Sequence, residues 1–150
     1  MKNFIVLISS LFIALSVFSQ ASPASFDYKV MKLEERLYEV SIITHINRPW
    51  HIYSQFTPSD GPSLPTSIKF GKNPLIEMAG KTEEKGNLIT KHDAVLDVNF
   101  QYFSDKVEFV QKVKLKADVK TNLTGTIQYM VCTDSQCSKP TTVSFNLDLN

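Results

Sequence analysis

The 150-residue chain sets 16 Lys and Arg against 15 Asp and Glu, a formal net charge of +1. So even a balance provides no basic stripe for a phosphate backbone, and no nucleic-acid partner is expected. With 43% hydrophobic and 11% aromatic residues and only five glycines and seven prolines, the composition is that of a folded domain, not a disordered tail.

Met1-Lys2-Asn3 supplies one positive charge, and the run from Phe4 to Phe18 is apolar apart from small serines. Ser19-Gln20-Ala21 then places small residues where a signal peptidase cuts, so residues 1–21 are predicted to be a cleaved signal peptide. The apolar run falls short of the about 20 residues that span a bilayer, and no later stretch is apolar enough. The absence of a cysteine near the cleavage site argues against a lipid anchor. The prediction is a periplasmic or secreted protein without membrane insertion, in which residues 22–150 form one domain. Cleavage leaves 129 residues carrying 15 positive and 15 negative side chains, enough for one core.

From Ser25 onward the hydrophobic period is two. Tyr38, Val40, Ile42 and Ile46 share one face, and Val107, Phe109, Val113 and Leu115 share another, interrupted by Gln111. Ile127, Tyr129 and Val131 form a third face, and Val143, Phe145, Leu147 and Leu149 a fourth. Such alternation marks half-buried strands. Further strands are predicted within residues 22–30 and 88–103. Turns are predicted at Asn47-Arg48-Pro49, at residues 58–62, at Gly71-Lys72-Asn73-Pro74, at Lys85-Gly86-Asn87 and at Thr121-Asn122. Residues 31–37 have some helical character but are expected to form the polar tip of a hairpin. Residues 57–66 hold Pro58, Pro62 and Pro65, so they are expected to be a surface crossover between sheets. Seven or so short strands separated by turns predict an all-β, immunoglobulin-like antiparallel β-sandwich.

Chemistry concentrates in Cys132 and Cys137. An exported protein meets an oxidising compartment, so the two are expected as a disulfide. Only four residues lie between them, and the loop-entropy model gives about 2 kcal/mol for so small a ring against nearly 5 for a loop of about 100 residues. Spacing alone leaves both redox exchange and a local structural staple open. Both sulfurs are expected at one hairpin end, within reach of partners. Asp134 disfavours a thiolate at Cys132, whereas Lys139 favours one at Cys137. Cys137 is therefore the expected first attacker, with Cys132 resolving the mixed disulfide. No cofactor and no metal are expected, because Cys-x4-Cys lacks a second ligand pair and His45, His51 and His92 are scattered. A copper(I) set of Cys132, Cys137, Met130 and His51 is a distant third possibility. Asn122-Leu123-Thr124 fits the N-glycosylation triplet without further support.

Trp50-His51-Ile52-Tyr53-Ser54, Gly61-Pro62, Pro65-Thr66-Ser67-Ile68 and Val107-Glu108-Phe109 occur in an order that is informative. The segment from Gly125 to Pro140 adds a strand ending in tyrosine, then cysteine, an acidic residue, a second cysteine and proline. Together these resemble the N-terminal periplasmic domain of the thiol:disulfide interchange protein DsbD, in a stand-alone form, over residues 26–149. The resemblance implies an immunoglobulin-like fold and a redox-active pair that shuttles reducing equivalents to oxidised periplasmic proteins. By position that pair is Cys132 and Cys137, with His51 and Tyr53 as rings beside it. It also implies an aromatic cap loop, matched here by Phe100-Gln101-Tyr102-Phe103-Ser104 without the acidic residue the family carries just before it. Thioredoxin-like or other redox proteins are the implied partners, through mixed disulfides. The resemblance then implies either a protein-disulfide reductase-type thiol carrier without its own electron source, reduced by a separate protein such as a membrane donor, or a domain that has kept the fold and lost the relay. The alternative is a secreted immunoglobulin-like binding module with a local structural disulfide.

Overall fold

The computed structural model describes residues 22–59 and 63–150; the signal sequence expected at residues 1–21 lies outside them. Among these described residues nine strands follow in chain order: β1 (Ala24–Lys32), β2 (Leu37–Ile46), β3 (His51–Tyr53), β4 (Ser67–Phe70), β5 (Ile76–Asp93), β6 (Val98–Leu115), β7 (Thr121–Tyr129), β8 (Val131–Cys132) and β9 (Thr141–Leu149). One antiparallel sheet has the order β1-β2-β6-β3-β8, with β5 also paired to β6, and the other is β4-β7-β9. This is the sandwich that the period-two pattern predicts. Residues 33–36 form the expected hairpin tip, closed by the Leu33 amide donating to the Leu37 carbonyl at 2.8 Å.

The core lies between the sheets, where Ile42, Ile52, Phe103 and Phe109 meet Leu123, Ile127 and Leu149. Burying each such side chain contributes about 1.5–3 kcal/mol. Gln111, which interrupts the apolar alternation of β6, is buried and satisfied. Its side-chain oxygen accepts from the Thr82 hydroxyl at 2.8 Å, and its amide donates to the Lys112 carbonyl at 2.8 Å.

Strand β6 organises the larger sheet. Residues 106–114 pair with β2, while Tyr102, Phe103 and Ser104 pair with β3. Between the two stretches Asp105 takes φ 68°, a left-handed conformation that Asp tolerates better than most side chains. Arg48, in the turn linking β2 to β3, donates to both Asp105 carboxylate oxygens, at 2.7 and 3.0 Å. That contact holds the Asp105 carboxyl below its ordinary pKa. The exchange of edge partners at this point brings β3 into the sheet and so sets up the functional face.

Two predicted turns are corrected. Strand β5 passes straight through Lys85-Gly86-Asn87 with a register shift between Gly86 and Leu88. The glycine serves packing: a Cβ on Gly86 would lie 3.0 Å from the Lys106 carbonyl oxygen and 3.1 Å from the Phe103 ring. Thr121 and Asn122 open β7, and the turn before them falls in residues 116–120. The predicted strand through Val131 also divides. β7 ends at Tyr129 in the smaller sheet, the chain crosses at Met130, and β8 joins the larger sheet. Ile127, Tyr129 and Val131 nevertheless all reach the core, as their alternation requires.

Close approach of β4 and β7 depends on Gly125, where a Cβ would fall 2.3 Å from the Phe145 ring and 2.6 Å from the Lys69 carbonyl oxygen. Gly125→Ala is expected to lower stability by about 1–3 kcal/mol in chemical denaturation. An unchanged midpoint would mean that β4 moves away without loss.

Candidate functional site

The cysteine pair is one rung of a tight hairpin. The Thr133 amide donates to the Gln136 carbonyl at 2.7 Å, and the Ser138 amide to the Val131 carbonyl at 2.8 Å. These bonds flank Cys132 and Cys137, making them a directly opposed non-hydrogen-bonded pair, the closer of the two antiparallel arrangements. Their Cα atoms lie 4.0 Å apart and the sulfurs are bonded. That separation is well inside the limit of about 7 Å for a disulfide and just below the usual range of about 4.4–6.8 Å. The Thr133 hydroxyl stabilises the turn by accepting the Ser135 and Gln136 amides at 3.3 and 3.2 Å.

Strand alternation then sorts the neighbours. In the ladder joining β6, β3 and β8, His51 faces both Ser104 and Cys132, Ile52 faces Phe103 and Val131, and Tyr53 faces Tyr102. Directly opposed residues point to the same side of a sheet. Ile52, Phe103 and Val131 therefore enter the core, while His51, Tyr53, Tyr102 and Cys132 share the other face. On that face Tyr53, Phe100, Met130 and Cys132 form a second apolar cluster, with Leu64, Val98 and Tyr102 packed against it. The His51 ring centroid lies 4.4 Å from Tyr102 and 5.4 Å from Tyr53, and Tyr53 lies 6.1 Å from Phe100.

The structure thus gathers His51, Tyr53, Phe100 and Tyr102 on the face that holds Cys132 and leaves Phe103 apart. Phe103 is only 1% exposed and belongs to the main core, because it alternates with Tyr102 along β6. The stretch from Phe100 to Ser104 is strand, not loop. The loop of this hairpin is residues 94–97, where the Asp93 carboxylate accepts the Val95 and Leu96 amides at 2.9 and 3.0 Å. The sulfurs are also unequal: Cys132 is 1% exposed and Cys137 is exposed, so the expectation that both are reachable holds for Cys137 alone. The proline-rich segment is more than a crossover, since Leu64 packs on the second cluster and the Thr66 hydroxyl donates to the Tyr53 carbonyl at 2.5 Å.

A shallow cleft of about 170 Å³ opens beside the pair, lined by His51, Tyr53, Lys91, Phe100, Tyr102 and Asp134, among others. It is smaller than the roughly 300–1,000 Å³ of small-molecule sites and suits a side chain better than a free cofactor. Lys91 Nζ donates to Asp134 Oδ1 at 3.1 Å, tying the β5–β6 hairpin to the cysteine turn. Both side chains are exposed, so the contact orients more than it stabilises. Sequence reasoning missed this pair; the only signal is opposite charge, and nothing local links positions 43 residues apart. Burial pushes the His51 pKa down, Asp134 opposes that shift and Lys91 reinforces it. Burial likewise pushes the Tyr53 hydroxyl up. Met130 does sit beside Cys132, but both sulfurs are in the disulfide. Among the described residues no group of three or more His, Cys, Asp or Glu is placed to hold a metal ion.

No protein-family model and no curated protein matches the chain significantly. Solved structures do. The N-terminal periplasmic domain of ScsB from Proteus mirabilis superposes with TM-score 0.61 at 17% identity, covering 87% of this chain and 48% of that one. The reduced N-terminal domain of DsbD from Neisseria meningitidis gives 0.53 at 13% identity, over 83% and 86% of the two chains. The chain has the fold of the DsbD N-terminal domain. A third structure, the complex of the Neisseria meningitidis DsbD and PilB N-terminal domains, gives 0.51 at 14% identity over 81% and 80%. The present chain thus spans about half the length of the ScsB chain it matches and most of the DsbD domain. At these identities the DsbD likeness is one of fold, and the chemistry rests on the residues described above.

Two outcomes follow from this geometry. Phe103→Ala is expected to cost about 3–5 kcal/mol, as for a fully buried ring. Tyr102→Ala should cost less, about 1–2 kcal/mol, and should speed the reaction of the reduced cysteines with a small disulfide reagent severalfold. Equal destabilisation with unchanged thiol reactivity would assign Tyr102 to packing alone. The second outcome concerns pH. With its folded pKa below its unfolded value of about 6.5, His51 binds its proton more readily when the chain unfolds. Its contribution is full above about pH 6.5 and is lost as pH falls below that value. His51→Gln should therefore lose less stability between pH 7 and pH 5 than the parent protein, as measured by urea denaturation at each pH.

Proposed function

We propose that the protein is a periplasmic thiol–disulfide exchange protein that passes reducing equivalents through Cys132 and Cys137 to or from other exported redox proteins. The observation that carries this reading is the unequal pair: an exposed Cys137 bonded to a buried Cys132 beneath a face of aromatic rings. Exchange requires one sulfur that a partner reaches and a second that resolves the mixed disulfide without leaving the protein. A ring closed by four intervening residues stabilises the fold little, which favours chemistry over stapling. The DsbD-type fold supports the same reading, and the solved DsbD–PilB complex supports a protein as the partner, here proposed to be thioredoxin-like. The cleft beside the pair accommodates a partner's side chain. Reducing equivalents arrive by the same exchange, from a separate membrane donor, and the enzyme class is that of a protein-disulfide reductase-type carrier.

The predicted signal peptide supports a location in the periplasm, as does the periplasmic ScsB domain that shares the fold. Among the described residues no helix is long and apolar enough to cross a membrane.

The deciding measurement is the reduction potential of the Cys132–Cys137 disulfide. A value above about −300 mV is expected, whereas structural bridges lie below it. Cys132→Ser should trap a mixed disulfide with a small disulfide reagent, and Cys137→Ser should react much more slowly. Replacing both cysteines by serine should cost at most about 2 kcal/mol. A low potential together with failure of the double variant to fold would instead support the secreted binding module with a structural bridge.

A further inference from the structure

We propose that His51 is the proton acceptor for Cys132 in the resolving step of exchange. The inference rests on the exchange reading and adds to it a residue with an assigned role. Its basis is position. His51 on β3 and Cys132 on β8 are directly opposed, and Cys132 is in turn opposed to Cys137, so the three side chains form one row on one face of the sheet. Directly opposed side chains stand with Cβ atoms about 4.5–5.5 Å apart, close enough for an imidazole to reach a neighbouring sulfur.

The need for a base arises from burial. Cys132 is 1% exposed and packs among Tyr53, Phe100 and Met130, surroundings that disfavour a thiolate. Cys137 is exposed, so no burial of this kind opposes its use as the attacking sulfur. Of the other histidines, His45 lies outside the cleft and pairs with Asp27 at 3.0 Å, while His92 lines the cleft but is hydrogen-bonded to Asn99 at 3.1 Å and does not face Cys132 in the strand ladder. Tyr102 and Tyr53 hold the His51 ring from two sides. The titratable and charged groups that share its cleft are Lys91, His92 and Asp93 from β5, Tyr102 from β6, Tyr53 from β3 and Asp134 from the cysteine turn. Burial keeps the ring neutral at pH 7 and able to accept a proton.

In the reducing direction the Cys137 thiolate attacks a partner disulfide, whose S–S bond breaks and whose first sulfur leaves as thiolate. The Cys132 thiol then gives its proton to a ring nitrogen of His51, and the Cys132 sulfur attacks Cys137. The mixed disulfide breaks, the partner's second sulfur leaves as thiolate, and the proton on His51 passes to it. Two electrons move from the pair to the partner. In reverse, protonated His51 returns the proton to Cys132 as it departs.

Stopped-flow reaction of the reduced full chain with a small aromatic disulfide resolves the two releases of aromatic thiolate. In His51→Gln and His51→Tyr the first release should stay within about twofold of the parent. The second should slow about tenfold or more at pH 7, with the deficit narrowing at strongly alkaline pH as hydroxide takes over the removal of the Cys132 proton. The parent's second release should also fall at acid pH as His51 protonates, an inflection that both variants lack. An unchanged second release, or equal slowing of both releases at every pH, would overturn the proposal. His51→Tyr keeps a ring against Tyr102, so the test stands if His51→Gln folds poorly. Equilibration of the parent pair with glutathione is a separate readout: a pair that glutathione does not reduce defeats the exchange reading, while the release kinetics still decide the role of His51.

Discussion

The side-chain alternation of β3, β6 and β8 is the constraint on which both the core and the site depend. Ile52, Phe103 and Val131 enter the sandwich interior, and the residues one step along each strand stand on the opposite face beside the disulfide. A slip of one residue in this ladder would exchange the two sets and bury His51 in the core. The register is therefore fixed by the apolar residues, and the chemistry inherits its geometry from them. The same logic explains why β6 changes edge partner at Asp105. β2 ends at Ile46 opposite this point, which leaves the rest of that edge of β6 to β3 with His51 and Tyr53.

The long strands were legible because one of their faces is apolar: Val40 and Ile42, Val107 and Phe109, and Leu147 and Leu149 announce themselves by period. Strand β5 was legible only at its end, within residues 88–103, and before Leu88 it was hidden by composition. Between Ile76 and Asp93 most of its side chains are exposed, so it carries charge where a two-sided strand would carry hydrophobes. Its Gly86 reads as a turn in sequence, whereas in the fold it makes room for the Phe103 ring. The cysteine pair was legible from spacing and compartment, but its asymmetry was not. Whether Cys132 or Cys137 is buried depends on β8 crossing at Met130 into the sheet that already holds His51. Phe100, Tyr102 and Phe103 were legible as an aromatic group, and only the strand assignment divides them between two clusters.

Electrostatics at the site are local and modest. The cleft holds Lys91, Asp93 and Asp134: Lys91 pairs with Asp134, so those two charges largely cancel at a distance, while Asp93 accepts the Val95 and Leu96 amides. What remains next to the sulfurs is the set of half-buried rings, where desolvation outweighs charge for both His51 and Tyr53. A site dominated by desolvation keeps its ionisation states over a range of salt concentrations, because burial is not screened as surface ion pairs are.

Placing the disulfide on a non-hydrogen-bonded rung separates its redox state from the integrity of the fold. The amides of Thr133 and Ser138 hold the hairpin whether or not the sulfurs are joined. The apolar cluster around Cys132 is assembled by β3, β6 and the Met130 crossover, none of which the bridge spans. A bridge that closed a long loop would tie bond cleavage to unfolding and would add several kcal/mol, about 4.7 for a loop of about 100 residues, to the stability of the oxidised form alone. With a ring this small the bridge contributes only about 2 kcal/mol to folding stability, so the framework depends on the apolar ladder and not on the disulfide.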